Sequence, residues 1–306
     1  MLEQAQRAIA SLCRAVAGPG GEPVQLLVND AATEAAARAM LEGATGVSYV
    51  RAKYGDCWVR DTLPTFGWTE SGALGGLRFR FNGWGGKYEM PFDDTVGAWI
   101  IDRSRAEDVV SSWVLEGGAV ELNGAGAAIT TASCVLNVNR NPGRTRAEFE
   151  SALRTHASVD RLVWLDRGLS HDHTDGHVDM VARFVDTDTV VCMAPDPDAP
   201  NADVLRETRQ TLAREGFRIL ELPAAPEAIA PDGSPLPTTY CNFYVANRAV
   251  IVPLYEAPQD EEALEVLAAA FPDRATIGLP TRDLLCGGGS FHCATQPVPT
   301  LPTPTP

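Results

Sequence analysis

Residues 116–131, EGGAVELNGAGAAITT, read as a short strand, a tight turn at Asn123-Gly124 and a second strand. An Asn-Gly pair between apolar-alternating residues is a strong short-range hairpin signal. The pattern returns in residues 178–194, VDMVARFVDTDTVVCMA, around Asp186-Thr187-Asp188, and in residues 242–255, NFYVANRAVIVPLY, around Asn247. These turns recur about every 60 residues, and another at Glu70–Gly72 precedes them at a slightly shorter interval. After each of the last three hairpins comes a helical stretch: Arg146–His156, Ala202–Glu215 and Glu261–Phe271, with Thr145, Asn201 and Asp260 as candidate N-caps. A strand follows each helix: Leu162–Leu165, Arg218–Leu222 and Ala275–Ile277. Ahead of the array, Gln4–Val16 and Ala31–Leu41 read as amphipathic helices around a strand at Val24–Val28. A strand–turn–strand–helix–strand unit at this period predicts a modular α/β array, not a doubly wound sheet. Four units are visible. The N- and C-terminal segments supply a fifth by closing a ring, which makes the expected architecture a small α/β propeller.

The chain has 306 residues, 45% of them hydrophobic and 21% charged, which is ordinary globular composition. Its 25 basic residues against 40 acidic ones give a net charge of −15. Such a surface repels phosphate backbones and anionic lipid and attracts cations. No apolar run reaches membrane-spanning length, and the first residues, MLEQAQRAIASLC, lack the basic and apolar regions of a signal peptide. The seven cysteines (13, 57, 134, 192, 241, 286, 293) are odd in number and never spaced as CxxC, so they predict neither a disulfide framework nor a structural zinc site. They imply a reducing, cytoplasmic setting. Pro297–Pro306, PVPTLPTPTP, reads as a solvated polyproline-like tail.

Chemistry concentrates in four places. Ser170–Asp179, SHDHTDGHVD, holds three of the five histidines. Its His171, His173, Asp175 and His177 resemble a dinuclear zinc motif, but Gly176 puts the spacing off by one residue. His171 and His173 suit a solvated loop. His177 and Asp179 instead share one face if the strand has already begun. Gly287–Cys293, GGGSFHC, places a cysteine after a loop whose backbone approaches a ligand closely, a Cys–His candidate alongside a histidine elsewhere. Cys57–Asp61, CWVRD, and Leu115–Gly118, LEGG, mean little alone. Their position matters: Asp61, Glu116, His177 with Asp179, and Asn242 all begin a hairpin's first strand. Equivalent positions in a ring converge on its axis, which brings three carboxylates, an imidazole and an amide together with Cys293. Carboxylates without a metal call for a planar cation, a guanidinium, whose carbon a thiolate attacks.

WVRDTLPTF (58–66), VLEGG (114–118), LNVNRNP (136–142), DGHVD (175–179), NFYVAN (242–247) and GGGSFHCATQ (287–296) resemble the agmatine deiminase and bacterial peptidylarginine deiminase family. The resemblance implies a five-bladed α/β propeller of ββαβ repeats over residues 1–297, followed by the tail at 298–306. Family members begin with a Met-Pro-x-Glu-Trp segment absent here, so the N-terminal blade is expected to be incomplete. The implied activity is hydrolysis of a guanidino group without metal or organic cofactor. By the resemblance Cys293 is the nucleophile, His177 the general acid/base, Asp61 and Asp179 the guanidinium-binding carboxylates, and Glu116 the group orienting His177. Trp58, Asn242, Gly288 and Gly289 line the pocket. Two positions depart from the family pattern, Met180 for Asn and Ala294 for Ile. The implied partner is agmatine or another small cationic guanidine, with no nucleic acid, no membrane, and self-assembly left open. The alternatives are a peptidylarginine deiminase, an amidinotransferase, a non-catalytic guanidine binder and a zinc hydrolase.

Overall fold

In the computed structural model, which describes residues 2–300, the repeating unit is visible four times. Each unit is a three-stranded sheet whose middle strand runs antiparallel to the first and parallel to the third. The first joins Thr65–Trp68, Leu74–Arg80 and Glu107–Val114; the second joins Val120–Leu122, Ala127–Thr131 and Arg161–Leu165. Ala182–Phe184, Thr189–Met193 and Arg218–Leu222 form the third, and Tyr244–Val245, Ala249–Leu254 and Ala275–Pro280 the fourth. A helix crosses from each middle strand to its parallel partner: Val96–Ser104, Arg146–Ala157, Ala202–Arg214 and Gln259–Ala270. A fifth, smaller unit pairs Val24–Val28 in parallel with Val47–Arg51 through the helix Ala31–Met40, and has no hairpin strand.

The turns form for the reasons their residue types suggest. Asn123 Oδ1 accepts the backbone N–H of Ala125 (2.8 Å) and Ala127 (2.9 Å), and Asp186 Oδ1 that of Asp188 (2.8 Å) and Thr189 (2.7 Å). The middle strands Ala127–Thr131 and Thr189–Met193 are buried along their whole length, as strands covered on both faces are. Thr145 caps its helix in a capping box with Glu148. The other two expected caps differ. Asn201 precedes its helix, but its side chain accepts from Ser170 N and Oγ, both at 2.7 Å. Asp260 lies inside a helix that starts at Gln259, because its carboxylate is taken by Tyr240 Oη (2.7 Å) and the N–H groups of Tyr255 and Ala257.

Contacts between units follow chain order and then close. Arg183 of the third unit donates to Glu121 of the second (2.8 Å) and to Phe243 O of the fourth (2.8 Å). Tyr244 of the fourth unit donates to Glu22 (3.0 Å), beside the N-terminal unit. Gly55, just after that unit, donates to Asp93 of the first (2.7 Å). The hydrophobic core is correspondingly divided into clusters between neighbouring units. All seven cysteines carry free thiols. Among the described residues, no helix is long and apolar enough to cross a membrane. Residues 297–300 of the proline-rich tail have no regular structure, and residues 301–306 lie outside the described residues.

Candidate active site

Five chain segments deliver polar side chains to one buried place. Asp61 comes from the single helical turn Val59–Thr62, with Trp58 as its N-cap. Glu116 precedes the 3-10 turn Gly117–Ala119, and His177 precedes the 3-10 turn Val178–Met180 that carries Asp179. Asn242 lies just before the fourth unit's first strand, and Cys293 follows the glycine loop 287–289. The expectation that His177 and Asp179 share a strand face is corrected. The His177 and Val178 carbonyls are satisfied within the turn by Met180 N and Val181 N, so the ladder begins only at Ala182. The two side chains diverge, His177 toward Asp61 and Glu116, Asp179 toward Asn242 and Cys293.

Asp61 is 7% exposed and accepts Gly118 N–H at Oδ1 and the Trp84 indole N–H at Oδ2, both at 2.9 Å. Trp84 sits at φ +52 among Gly83, Gly85 and Gly86, all at positive φ. A left-handed conformation costs a non-glycine residue about 1–2 kcal/mol, so the segment is strained where it meets the carboxylate. Gly118 is the hub: a Cβ there would lie 2.7 Å from His177 Nδ1 and 3.0 Å from both Asp179 Oδ2 and Asp61 Oδ1. Gly118→Ala is therefore expected to lower kcat/KM about 10²-fold by misplacing those groups, with the melting temperature reporting any general loss of packing. Unchanged steady-state kinetics would remove Gly118 from the site.

His177 presents its two nitrogens to different acids. Nδ1 lies 4.0 Å from Asp61 Oδ2, and Nε2 lies 3.5 Å from Glu116 Oε2, too far for a well-formed hydrogen bond. Burial opposes protonation, but Asp61 first, then Cys134 and Glu116, hold the imidazole well above its ordinary value. Burial alone would raise Glu116, yet the facing His177 and the Arg140 guanidinium bring it below the usual carboxylate range. Arg140 Nε lies 2.9 Å from both Glu116 oxygens, and its Nη1 donates to Asp175 (2.6 Å). Removing one partner from a buried pair of this kind costs about 3–5 kcal/mol. Among the described residues, Glu116, Cys134 and His177 form the one group of three metal-capable donors, mutually within 4.8 Å, and the Glu116 carboxylate is already engaged by Arg140.

Cys293 Sγ lies 3.3 Å from Asn242 Nδ2 and 3.7 Å from Asp179 Oδ2. Asn242 Nδ2 also donates to Asp179 Oδ2 (3.0 Å), and its Oδ1 accepts Cys293 N–H (3.3 Å). The cycle closes where Cys293 O accepts Arg60 N–H (3.0 Å), next to Asp61. Burial, then Asp179 and Asp61, push the Cys293 thiol well above its ordinary value. Burial lifts Asp179 to about 7, with His177 pulling it down and Asp61 pushing it up. Among the described residues Asp179 Oδ1 has no hydrogen-bond partner. Two crowded, desolvated carboxylates and a protonated thiol form an arrangement that an arriving cation would relax, because positive charge favours both carboxylates and the thiolate.

The loops around this place leave little open. Trp58 packs on the glycine loop, and a Cβ at Gly289 would lie 2.7 Å from Trp58 Cζ3 and 3.0 Å from Cys293 Cβ. Gly288, at φ +103, faces His173. His173 Nδ1 meets Tyr88 Oη at 2.6 Å, and Lys87 Nζ donates to Asp175 (2.6 Å), which joins the 82–90 loop to the 170–176 loop. His171 is exposed, His173 binds Tyr88, Asp175 pairs with Lys87 and Arg140, and His177 is buried, so the suspected zinc-type set is not gathered into one ligand shell. Arg140, Trp84, Gly118 and His292 belong to this neighbourhood although the sequence reading gave them no role. The available signal was their place inside quoted segments, LNVNRNP, VLEGG and GGGSFHCATQ, or next to strand ends.

The sequence profile of the Porphyromonas-type peptidyl-arginine deiminase family matches residues 1–299. The agmatine deiminase of Pseudomonas putida is 36% identical over 96% of this chain and 87% of its own length. Among solved structures, Enterococcus faecalis agmatine deiminase aligns with TM-score 0.90 at 27% identity, covering 97% of this chain and 88% of its own. A cysteine-to-serine variant of C. jejuni agmatine deiminase with substrate bound aligns with TM-score 0.87 at 27% identity, covering 96% and 86%.

Proposed function

The chain belongs to the Porphyromonas-type peptidyl-arginine deiminase family, and from that we propose that it hydrolyses the guanidino group of agmatine to a ureido group and ammonia. The observation that carries the reading is the pair of buried carboxylates, Asp61 and Asp179, set around Gly118 within reach of the Cys293 thiol. Four three-stranded units and one two-stranded unit, linked in a closed cycle, support a five-bladed α/β propeller formed as one domain by residues up to 297.

Asp61 and Asp179 bind the guanidinium and hold its central carbon beside Cys293. The substrate's positive charge lowers the thiol's pKa, the thiol proton passes to water and ends on the ammonia released later, and the thiolate attacks to give a neutral tetrahedral adduct. His177, protonated, donates its proton to the departing NH2 group, and ammonia leaves an amidino-thioether on Cys293. The now neutral His177 takes a proton from water as the hydroxide adds to the same carbon. Collapse breaks the C–S bond, and the hydroxyl proton of the new ureido group returns to the sulfur. Nδ1 is the working nitrogen, because it faces Asp61 and Gly118, while Glu116, held by Arg140, orients Nε2. Trp58 and Asn242 line the wall, and Gly288 and Gly289 let the backbone approach.

Closure of the 82–90 and 170–176 loops over residues at most 7% exposed favours a small free guanidine over arginine in a peptide. A ureido-product assay across agmatine, arginine, arginyl peptides and methylated arginines is expected to show the highest kcat/KM with agmatine. A peptide substrate outrunning agmatine would replace this reading with peptidylarginine deimination, and absence of ureido product from every guanidine would reject it.

A further inference from the structure

The two oxygens of Asp179 have unequal surroundings. Oδ2 lies 2.7 Å from His292 Nδ1 and 3.0 Å from Asn242 Nδ2, whereas Oδ1 is buried with no hydrogen-bond partner among the described residues. Two N–H donors on Oδ2, which the Cys293 thiol also faces at 3.7 Å, fix the plane of the carboxylate and reserve the other oxygen for the substrate. We propose that His292 is a positioning residue for deimination: its Nδ1–H anchors Asp179 Oδ2 so that Oδ1 is presented to the substrate guanidinium. This rests on the reading of Asp179 as a substrate-binding carboxylate.

The backbone of His292 is held as firmly as its ring. Its N–H donates to Asn242 O (3.2 Å), and its carbonyl accepts Arg60 Nε (3.3 Å). The His292-Cys293 dipeptide thus sets both the thiol and the carboxylate that the thiol faces. A histidine suits the position because it remains a neutral donor. Burial first, then Arg183, Arg60 and His177, keep its pKa well below the ordinary value. Arg183 itself is anchored on Glu121 and the carbonyls of Cys241 and Phe243, so its charge is engaged elsewhere. A cationic donor in place of His292 would neutralise Asp179 and compete with the guanidinium. A neutral one orients the carboxylate and leaves its negative charge for the substrate.

The charged and titratable groups facing Asp179 are His177, Asp61, Arg183, Arg60, Asp172 and Cys241, together with His292 and Cys293. Hydrogen bonds to the ionised form lower a carboxyl pKa, so losing the His292 donor moves Asp179 upward. The acid limb of kcat/KM then shifts to higher pH.

The test compares His292→Phe, His292→Asn, Asp179→Asn and the double variant His292→Phe/Asp179→Asn with agmatine across the neutral pH range. Phenylalanine keeps the ring's bulk without the donor, and asparagine offers an amide donor near the Nδ1 position. His292→Phe is expected to lower kcat/KM roughly 10- to 100-fold, mainly through KM, and to shift the acid limb upward. His292→Asn should recover most of that loss, and the double variant should be no worse than Asp179→Asn alone. Should His292→Phe fail to fold, His292→Gln, whose donor sits one bond further out, takes its place with the same expectation. The inference is overturned if Asp179→Asn is impaired while His292→Phe keeps normal KM and pH profile, or if His292→Asn is as impaired as His292→Phe. Normal kinetics in Asp179→Asn would instead reject the substrate-binding assignment of Asp179.

Discussion

Cys293→Ser should lower kcat by at least about 10⁴-fold while agmatine still binds. The thiol is protonated in the free protein, because burial and the charges of Asp179 and Asp61 push its pKa well up. A guanidinium lodged between those carboxylates reverses that pressure, and a sulfur near its ordinary range can then yield a thiolate. A serine hydroxyl starts several pKa units higher, so the same electrostatic help does not reach it. Binding survives because Asp61, Asp179 and their donors Trp84, Gly118 and Asn242 are untouched. Steady-state ammonia release paired with equilibrium dialysis of labelled agmatine checks both halves. A serine variant within tenfold of wild type would move the nucleophile elsewhere.

His177→Ala should lose about 10²- to 10⁴-fold, the range proton transfer by a placed side chain contributes. Its effect falls on both half-reactions, since the same imidazole gives a proton to the leaving group and later takes one from water. The nearest alternatives are poorly suited: Glu116 is committed to Arg140, and His292 is bonded to Asp179. Removal of the ring also leaves Asp61 without its partially compensating cation, so KM should change with kcat. Single-turnover mixing separates the steps, because formation of the amidino-enzyme and its hydrolysis should both slow. Loss confined to binding, with normal single-turnover chemistry, would show that His177 is not the proton carrier.

The repeat was readable because the middle strands Ala127–Thr131, Thr189–Met193 and Ala249–Leu254 are compact, largely apolar runs, each preceded by an Asn or Asp turn, and the family resemblance stood on motifs spread along the chain. What escaped the sequence was decided by tertiary contacts. In the first unit the helix Val96–Ser104 and the strand Glu107–Val114 were not anticipated, because the strained Gly83–Gly86 segment interrupts the pattern. Asp260 looked like a cap but is consumed by Tyr240 and Tyr255 from outside its helix. Gly118 was one glycine of a pair, and only the convergence of His177, Asp179 and Asp61 upon it shows why no Cβ fits. His292 stood next to the candidate cysteine throughout. Its bond to Asp179 spans 113 residues of sequence, a separation that no local pattern encodes.

Intact-protein mass spectrometry after acid quench of the enzyme reacting with agmatine tests the covalent step most directly. The account predicts a mass increase of one amidino adduct per chain, mapped by peptide digestion to Cys293 and absent from Cys293→Ser. An adduct on any of the other six cysteines, or turnover in which no adduct forms at any quench time, would contradict it.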